Sequence, residues 1–346
     1  MSSRFPADGG AHHFGALPVT APLARSLADL GYQTPTPIQE RSIPVLRDGR
    51  DVLAQAQTGT GKTAAFGIPL IESIDPRERA VQAIILVPTR ELCLQVTAEL
   101  TALSRYTGIT VTAVYGGVGL GRQIDSLGRG AQVVVGTPGR VEDLLQRGSL
   151  TLKRARLVVL DEADRMLDVG FLPAIKRILK QTPSTRRTAL YSATLPPEIL
   201  DLGRSQMRDP VTIAVDPQRA TVDEIDQRFQ AVAEGDKLAA LKEHLDDTAC
   251  DLALVFRRTT YRADRLARDL SRKGYRAAVL HGRRSQSQRA RALADLRAGN
   301  LQVLVATDIA ARGLDISGLT HVFNYDLPDT PETYVHRIGR GRREWQ

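Results

Sequence analysis

The sequence predicts an α/β protein of two tandem units, each built on a parallel sheet, and three observations carry that prediction. At 346 residues the chain is long enough for about two domains of roughly 150 residues each. Short β-branched runs at 51–56, 83–89, 111–115, 132–136, 157–161 and 188–192 alternate with longer amphipathic stretches, the pattern of a parallel sheet with crossover helices. The alternation lapses over 216–221 and resumes with apolar runs at 229–233, 252–256, 277–280, 301–306 and 321–325, so the lapse reads as a linker. The expected division is an extension at 1–20, a first domain at 21–215, a linker at 216–224 and a second domain at 225–346. Ligands are expected beyond the carboxyl ends of the strands.

Composition narrows the class further. With 42% hydrophobic, 25% charged and 5% aromatic residues, disordered and fibrous readings drop out. Runs such as 83–87 and 157–160 fall far short of the ~20 apolar residues a membrane-spanning helix needs. Residues 1–20 lack the apolar stretch of a secretory signal, and Cys93 and Cys250 sit in separate apolar patterns, so a cytoplasmic location is expected. The net charge of +8, from 47 basic and 39 acidic residues, fits a polyanionic partner without a basic tail.

The most specific local signal is Ala56-Gln57-Thr58-Gly59-Thr60-Gly61-Lys62-Thr63, set between an apolar run and a helical pattern. It resembles a phosphate-binding P-loop, with Ala56 where the usual first glycine stands. Backbone N–H groups at Thr58, Gly59, Thr60 and Gly61 can curl around phosphate oxygens, Lys62 can reach the terminal phosphates, and the Thr63 hydroxyl can ligate magnesium. A second acidic element is then required at a strand end, and Asp161 and Glu162 supply it. Asp161 would hold magnesium, while Glu162 would orient and deprotonate the attacking water.

With the full string Asp161-Glu162-Ala163-Asp164, the chain resembles the DEAD-box family of ATP-dependent RNA helicases, in style the bacterial RhlE-type members, from Phe14 to Arg340. The resemblance implies two RecA-like P-loop NTPase domains, with ATP and Mg2+ as cofactors and RNA as partner. Residues 31–39, Gly-Tyr-Gln-Thr-Pro-Thr-Pro-Ile-Gln, are similar to the family's adenine-reading Q motif, with Phe14 upstream. Tyr32 and Gln39 are its candidates here, and the Gln39 amide has the donor and acceptor that adenine N6 and N7 require. Ser192-Ala193-Thr194 looks like the element linking hydrolysis to strand separation, its hydroxyls bonding near Asp164. In the second domain, residues 306–315 imply RNA contact near Thr307 and Arg312 and nucleotide contact from Gly313 and Asp315.

Three first-domain strings match family elements that grip one RNA strand: Pro88-Thr89-Arg90, Gly116-Gly117 and Thr137-Pro138-Gly139-Arg140. Each follows an apolar strand, where glycines and hydroxyls let backbone N–H groups approach phosphates and the arginines add charge. In the second domain Arg257, Gln286 and Arg289 take the corresponding places, and Arg283 stands where the family usually has an acidic residue. Aromatics are scarce in these strings, so backbone binding independent of base sequence is expected.

The last motif departs from the family. Around His336, a coupling candidate by resemblance, the chain reads His-Arg-Ile-Gly-Arg and then Gly341-Arg342-Arg343 to Gln346. Arg340 and Arg343 stand at the places of the two arginine fingers, with Arg342 in place of a glycine; with one residue deleted, Arg342 is the second finger. The expectation is therefore a second domain lacking its C-terminal end, in a truncated product. Three readings follow: an ATP-dependent RNA helicase, an ATP- and RNA-binding protein with little hydrolysis or unwinding, and a helicase acting on DNA.

Overall fold

The computed structural model describes residues 12–57, 59–215, 226–311, 316 and 318–338. The chain divides into two compact units, residues 1–217 and 218–346. Thr58, Arg312, Gly313, Asp315, Arg340 and Arg343 lie outside the described residues, and Gln286 and His336 are described by backbone alone.

The first unit opens with a hairpin, β1 (His12–Phe14) and β2 (Leu17–Val19), whose Phe14 and Val19 are buried against α1 (Ala21–Asp29). Phe14 and Val19 thus belong to the first unit's core, and the hairpin that carries them packs on that unit. Helix α2 (Pro37–Arg47) starts on a capping box: the Thr36 backbone N–H donates to the Gln39 Oε1 at 2.9 Å, and Pro37 occupies the first turn, where its missing N–H costs nothing. The helix runs into β3 (Val52–Gln55), followed by α3 (Lys62–Ser73), β4 (Ala83–Leu86), α4 (Arg90–Leu103) and β5 (Val111–Val114). Then come α5 (Gly121–Gly128), β6 (Val133–Gly136), α6 (Pro138–Gln146), β7 (Leu157–Asp161), α7 (Ala163–Asp168), α8 (Leu172–Lys180), β8 (Arg187–Ser192), α9 (Pro197–Gln206) and β9 (Val211–Ala214).

Strands β3 to β9 form one seven-stranded sheet, ordered β5-β6-β4-β7-β8-β3-β9, in which every pairing is parallel. β4, β6 and β7 are buried along their whole length, which is why they read as unbroken Val, Ile and Leu runs. Two apolar clusters cover the faces, one centred on Phe66, Leu100 and Tyr191, the other on Ile84, Met166 and Ile178. Helix α4 shows how a helix meets such a face: Cys93, Val96, Leu100 and Leu103 recur every three or four residues and, with Leu92, are buried, while Thr89 caps the first turn.

The second unit holds α10 (Lys237–Leu245), β10 (Ala253–Phe256), α11 (Thr260–Arg272), β11 (Ala277–Leu280), α12 (Gln286–Arg297), β12 (Val303–Ala306), α13 (Asp308–Ala311), β13 (His321–Phe323) and α14 (Pro331–Ile338). Its sheet is parallel and ordered β11-β12-β10-β13. The strand expected at 229–233 is absent, and Phe229 is 81% exposed. No helix among the described residues is long and apolar enough to cross a membrane.

Candidate functional site

Because every strand of the first sheet points the same way, all its carboxyl ends lie along one edge. Read in sheet order, that edge carries Gly116-Gly117 after β5, Thr137 to Arg140 after β6, Pro88 to Arg90 after β4, Asp161 and Glu162 at β7, Ser192 at β8 and the glycine-rich loop after β3. Adjacent strands are about 4.8 Å apart, so the expected RNA-contacting strings occupy three neighbouring strand ends and the phosphate loop and acidic pair the next three.

The loop's shape follows from its glycines. Gly59 and Gly61 have φ of +84° and +83°, left-handed values that residues with a Cβ rarely adopt. At Gly61 a Cβ would also lie 2.4 Å from the Gln39 Nε2. Lys62 is buried; its Nζ donates to the Ala56 carbonyl at 3.2 Å and lies 3.7 Å from the Asp161 Oδ1. Burial pushes the Asp161 carboxyl up to about 6, against the opposing pull of Lys62, and the charges of Glu162 and Asp164 push the same way as burial. Thr60 holds the loop closed, its hydroxyl donating to the Gln57 carbonyl at 2.8 Å, and Thr63 is half-buried in the first turn of α3.

Around this loop the expected adenine readers have other occupations. The Gln39 Nε2 donates to the Gly61 carbonyl at 3.0 Å and the Thr36 hydroxyl to the Thr60 carbonyl at 2.8 Å, so Gln39 ties α2 to the phosphate loop. One amide hydrogen and one lone pair of Gln39 remain for a base. Phe14 is buried, its ring 6.3 Å from that of Tyr32, and so is a core residue rather than an open stacking surface. Tyr32 is half-buried, donates to the Glu99 Oε1 at 3.2 Å, and its hydroxyl is pushed above its usual range by burial and by Glu99.

Glu162 has φ of +54°, one of two described non-glycine residues in the left-handed region, a strain costing about 1–3 kcal/mol that marks functional sites. The Asp161 Oδ1 accepts from the Glu162 N–H at 3.0 Å, and the Arg165 Nη1 donates to the Glu162 Oε2 at 2.8 Å. Sequence reading missed Arg165, because nothing local distinguishes it from a solvated arginine. Asp164 bridges β7 to β8. Its N–H donates to the Ser192 Oγ at 3.0 Å, and its Oδ2 accepts from both the backbone and the hydroxyl of Thr194 at 2.9 Å.

On the other half of the edge, Thr89 and Thr137 stand at the starts of α4 and α6, and Gly139 lies in the first turn of α6, with open space where its Cβ would be. Pro138 is buried in the first turn of α6, and Gly116 and Gly117 follow β5, Gly117 with φ of +79°. The Arg140 Nη2 donates to the Val118 carbonyl at 3.1 Å, and the Arg90 guanidinium lies 4.7 Å over the Tyr115 ring.

In the second unit Arg257 departs from expectation. It is buried, its Nη1 donates to the Asp326 Oδ1 at 3.1 Å, and its guanidinium covers Tyr325, so it builds the unit and its neighbour Arg258 is the exposed one. Thr307 is buried at the end of β12, and Arg289 is half-buried on α12. Arg337, absent from the sequence expectations, is buried and forks onto Asp308 at 2.6 and 2.9 Å while donating to Asn324 and the Asp326 carbonyl.

Residues 36–202 match the family described as DEAD/DEAH box helicase, and residues 236–344 match the helicase conserved C-terminal domain. The second match runs past the altered last motif, and truncation is not supported by it. Over 330 residues the chain is 46% identical to an ATP-dependent RNA helicase CshA of Limosilactobacillus reuteri, covering 95% of this chain and 66% of that one. Over 321 residues it is 49% identical to a CshA of Listeria monocytogenes, covering 93% and 62%. It thus spans slightly under two thirds of these relatives, and their CshA name does not support the RhlE-type expectation. Saccharomyces cerevisiae Dbp5 bound to RNA and ADP BeF3 superposes with a TM-score of 0.85 at 33% identity, covering 94% of this chain and 86% of that one. Both units are RecA-like α/β domains, and the chain belongs to the DEAD-box family of helicases.

Proposed function

We propose that the chain is an ATP-dependent RNA helicase that grips the RNA backbone without reading sequence and couples ATP hydrolysis to local strand separation. The observation that carries this reading is the order of groups along one sheet edge, with the backbone-gripping strings at three neighbouring strand ends, the phosphate loop and acidic pair at the next three, and Asp164, Ser192 and Thr194 tying β7 to β8 within the second group. The CshA relatives and the RNA-bound Dbp5 support the choice of ATP and RNA.

Lys62 and the backbone from Thr58 to Gly61 bind the phosphates of ATP. Thr63 and Asp161 are hard oxygen donors of the kind magnesium takes alongside phosphates and waters, and the ion would neutralise charge on the transferring phosphoryl group. Glu162 orients and deprotonates the attacking water, and Gln39 and Tyr32 sit on the adenine side, Gln39 transmitting base binding to the loop through Gly61. Gly313, Asp315, Arg340 and Arg343 are assigned to nucleotide contact by family resemblance. Pro88, Thr89, Arg90, Gly116, Gly117, Thr137, Pro138, Gly139 and Arg140 form the first unit's backbone track, with Gln286, Arg289, Thr307 and Arg312 in the second and His336 in coupling. A cytoplasmic site of action belongs to the same proposal, supported by two free, buried cysteines.

The test is ATP-driven displacement of a short RNA duplex together with phosphate release in the presence of RNA or DNA of one sequence. RNA-stimulated release with displacement is expected. Stimulation by DNA alone would favour a DNA helicase, and nucleotide and RNA binding with no release would favour the binding-protein reading.

A further inference from the structure

Helix α11 carries a straight line of cations that the proposed core track leaves unused. Tyr261, Arg265, Arg268 and Arg272 fall at steps of four, three and four residues, which at 100° per residue confines them to an arc of about 60°. Ala263, Leu266, Ala267 and Leu270 are buried on the opposite side, so the line faces solvent. Tyr261 is 68% exposed, and the side chains of Arg265 and Arg272 are 71% and 78% exposed. Arg262 flanks the line, and Lys273 and Arg276 continue the exposed positive charge beyond the helix end.

Little on the helix offsets this charge. Asp264 is taken by the His281 Nε2 at 3.0 Å and the Arg284 Nη2 at 2.5 Å. Asp269 is shared between Arg265 at 3.9 Å and Arg272 at 3.8 Å, long and solvent-exposed contacts of the kind that contribute almost nothing. Of the exposed large apolar side chains among the described residues, Tyr261 alone lies on α11, so the face lacks the apolar centre that a protein partner would bury.

The line also starts in the right place. Arg257, Arg258 and Thr259 leave the carboxyl end of β10, whose Phe256 pairs with Ala306, the residue before Thr307 of the candidate track, and Thr259 caps α11, so Tyr261 stands in the first turn, at the end of the helix nearest that strand end. From there the arginines run away over roughly 16 Å, with neighbours about 5–6 Å apart.

We infer that the outer face of α11 is an auxiliary binding track for single-stranded RNA that flanks the core site, with Arg265, Arg268 and Arg272 on successive phosphates and Tyr261 stacked on a base. Guanidinium forks suit phosphate oxygens, and contacts of this kind set path and affinity without reading sequence. The inference rests on the RNA-binding reading above.

The test compares uridine oligonucleotides of about 8 and about 30 residues, the shorter filling a core site of ordinary size, by fluorescence anisotropy across a salt series. The protein with Arg265→Gln, Arg268→Gln and Arg272→Gln together is set against the unaltered chain, with Tyr261→Ala as a second variant. The triple variant is expected to bind the short RNA unchanged and the long RNA at least ~10-fold more weakly, its salt slope on long RNA shallower by about 2, as three lost phosphate contacts imply. Tyr261→Ala is expected to weaken long RNA with no change in slope. Unaltered affinity and slope on long RNA overturn the inference, as does an equal loss at both lengths. Failure of the unaltered chain to bind either RNA overturns the RNA-binding reading itself. All substituted side chains are exposed, so unchanged melting curves are expected to accompany these results.

Discussion

Arg165 and Glu162 form a buried ion pair in which the Nη1 of Arg165 donates to the Oε2 of Glu162 at 2.8 Å. Glu162 already holds a left-handed backbone conformation, so guanidinium and strained backbone together fix where its carboxylate points. A base that must meet one water molecule depends on such fixing. Arg165→Met is expected to lower kcat for RNA-stimulated ATP hydrolysis by ~10-fold or more with little change in KM for ATP, since Glu162 does not hold the nucleotide. Arg165→Lys is expected to restore part of kcat. A raised KM with unchanged kcat would mean that Arg165 acts on binding instead.

The Asp164 bridge makes a second expectation. Ser192→Ala with Thr194→Val removes both hydroxyl partners of Asp164, which ties the strand end carrying the acidic pair to β8, while leaving Lys62, Asp161 and Glu162 untouched. RNA-stimulated phosphate release is expected to persist within ~10-fold while duplex displacement falls by a larger factor. Equal losses in both assays would show that the bridge serves hydrolysis alone.

Gly61→Ala combines two costs, a left-handed φ and a Cβ placed 2.4 Å from the Gln39 Nε2. The strain alone is about 1–3 kcal/mol, and relief requires Gln39 to leave the loop. ATP affinity, measured with a fluorescent nucleotide, is expected to fall at least ~10-fold. Wild-type affinity would show that the Gln39 contact is dispensable.

Thiol chemistry offers a test of burial in both units. Burial pushes the Cys93 thiol up to about 12 and the Cys250 thiol up to about 11. The thiolate, which is the reactive form, is therefore scarce at pH 8 in the folded chain and regained on unfolding. An aromatic disulfide reagent is expected to modify neither cysteine rapidly in the native protein and both at once in guanidinium. Fast native labelling of Cys250 would mean that the second unit opens readily.

The parts of this molecule legible in the sequence are those in which chemistry and periodicity coincide. β4, β6 and β7 are unbroken apolar runs because both their faces are buried, and the phosphate loop announces itself through glycines whose left-handed φ values residues with a Cβ rarely adopt. β9 escaped notice because it is an edge strand with Ile213 alone buried, and the β1–β2 hairpin because three-residue strands carry too little pattern. The run at 229–233 has strand-like residues but no partner strand among the described residues to bury them against. Arg165, Arg257 and Arg337 illustrate a different limit. In a chain with 40 arginines (47 basic residues less seven lysines), composition cannot say which guanidinium turns inward, because the partner carboxylate is chosen by the fold.

The central claim, that the edge formed by the phosphate loop, Asp161 and Glu162 hydrolyses ATP in response to RNA, is tested most directly by RNA-stimulated phosphate release from Glu162→Gln beside the unaltered chain. Robust release is expected from the unaltered chain. From Glu162→Gln the expected rate is lower by at least ~10², with ATP and RNA binding retained because Lys62 and the backbone track are intact. Undiminished release from Glu162→Gln would contradict the claim.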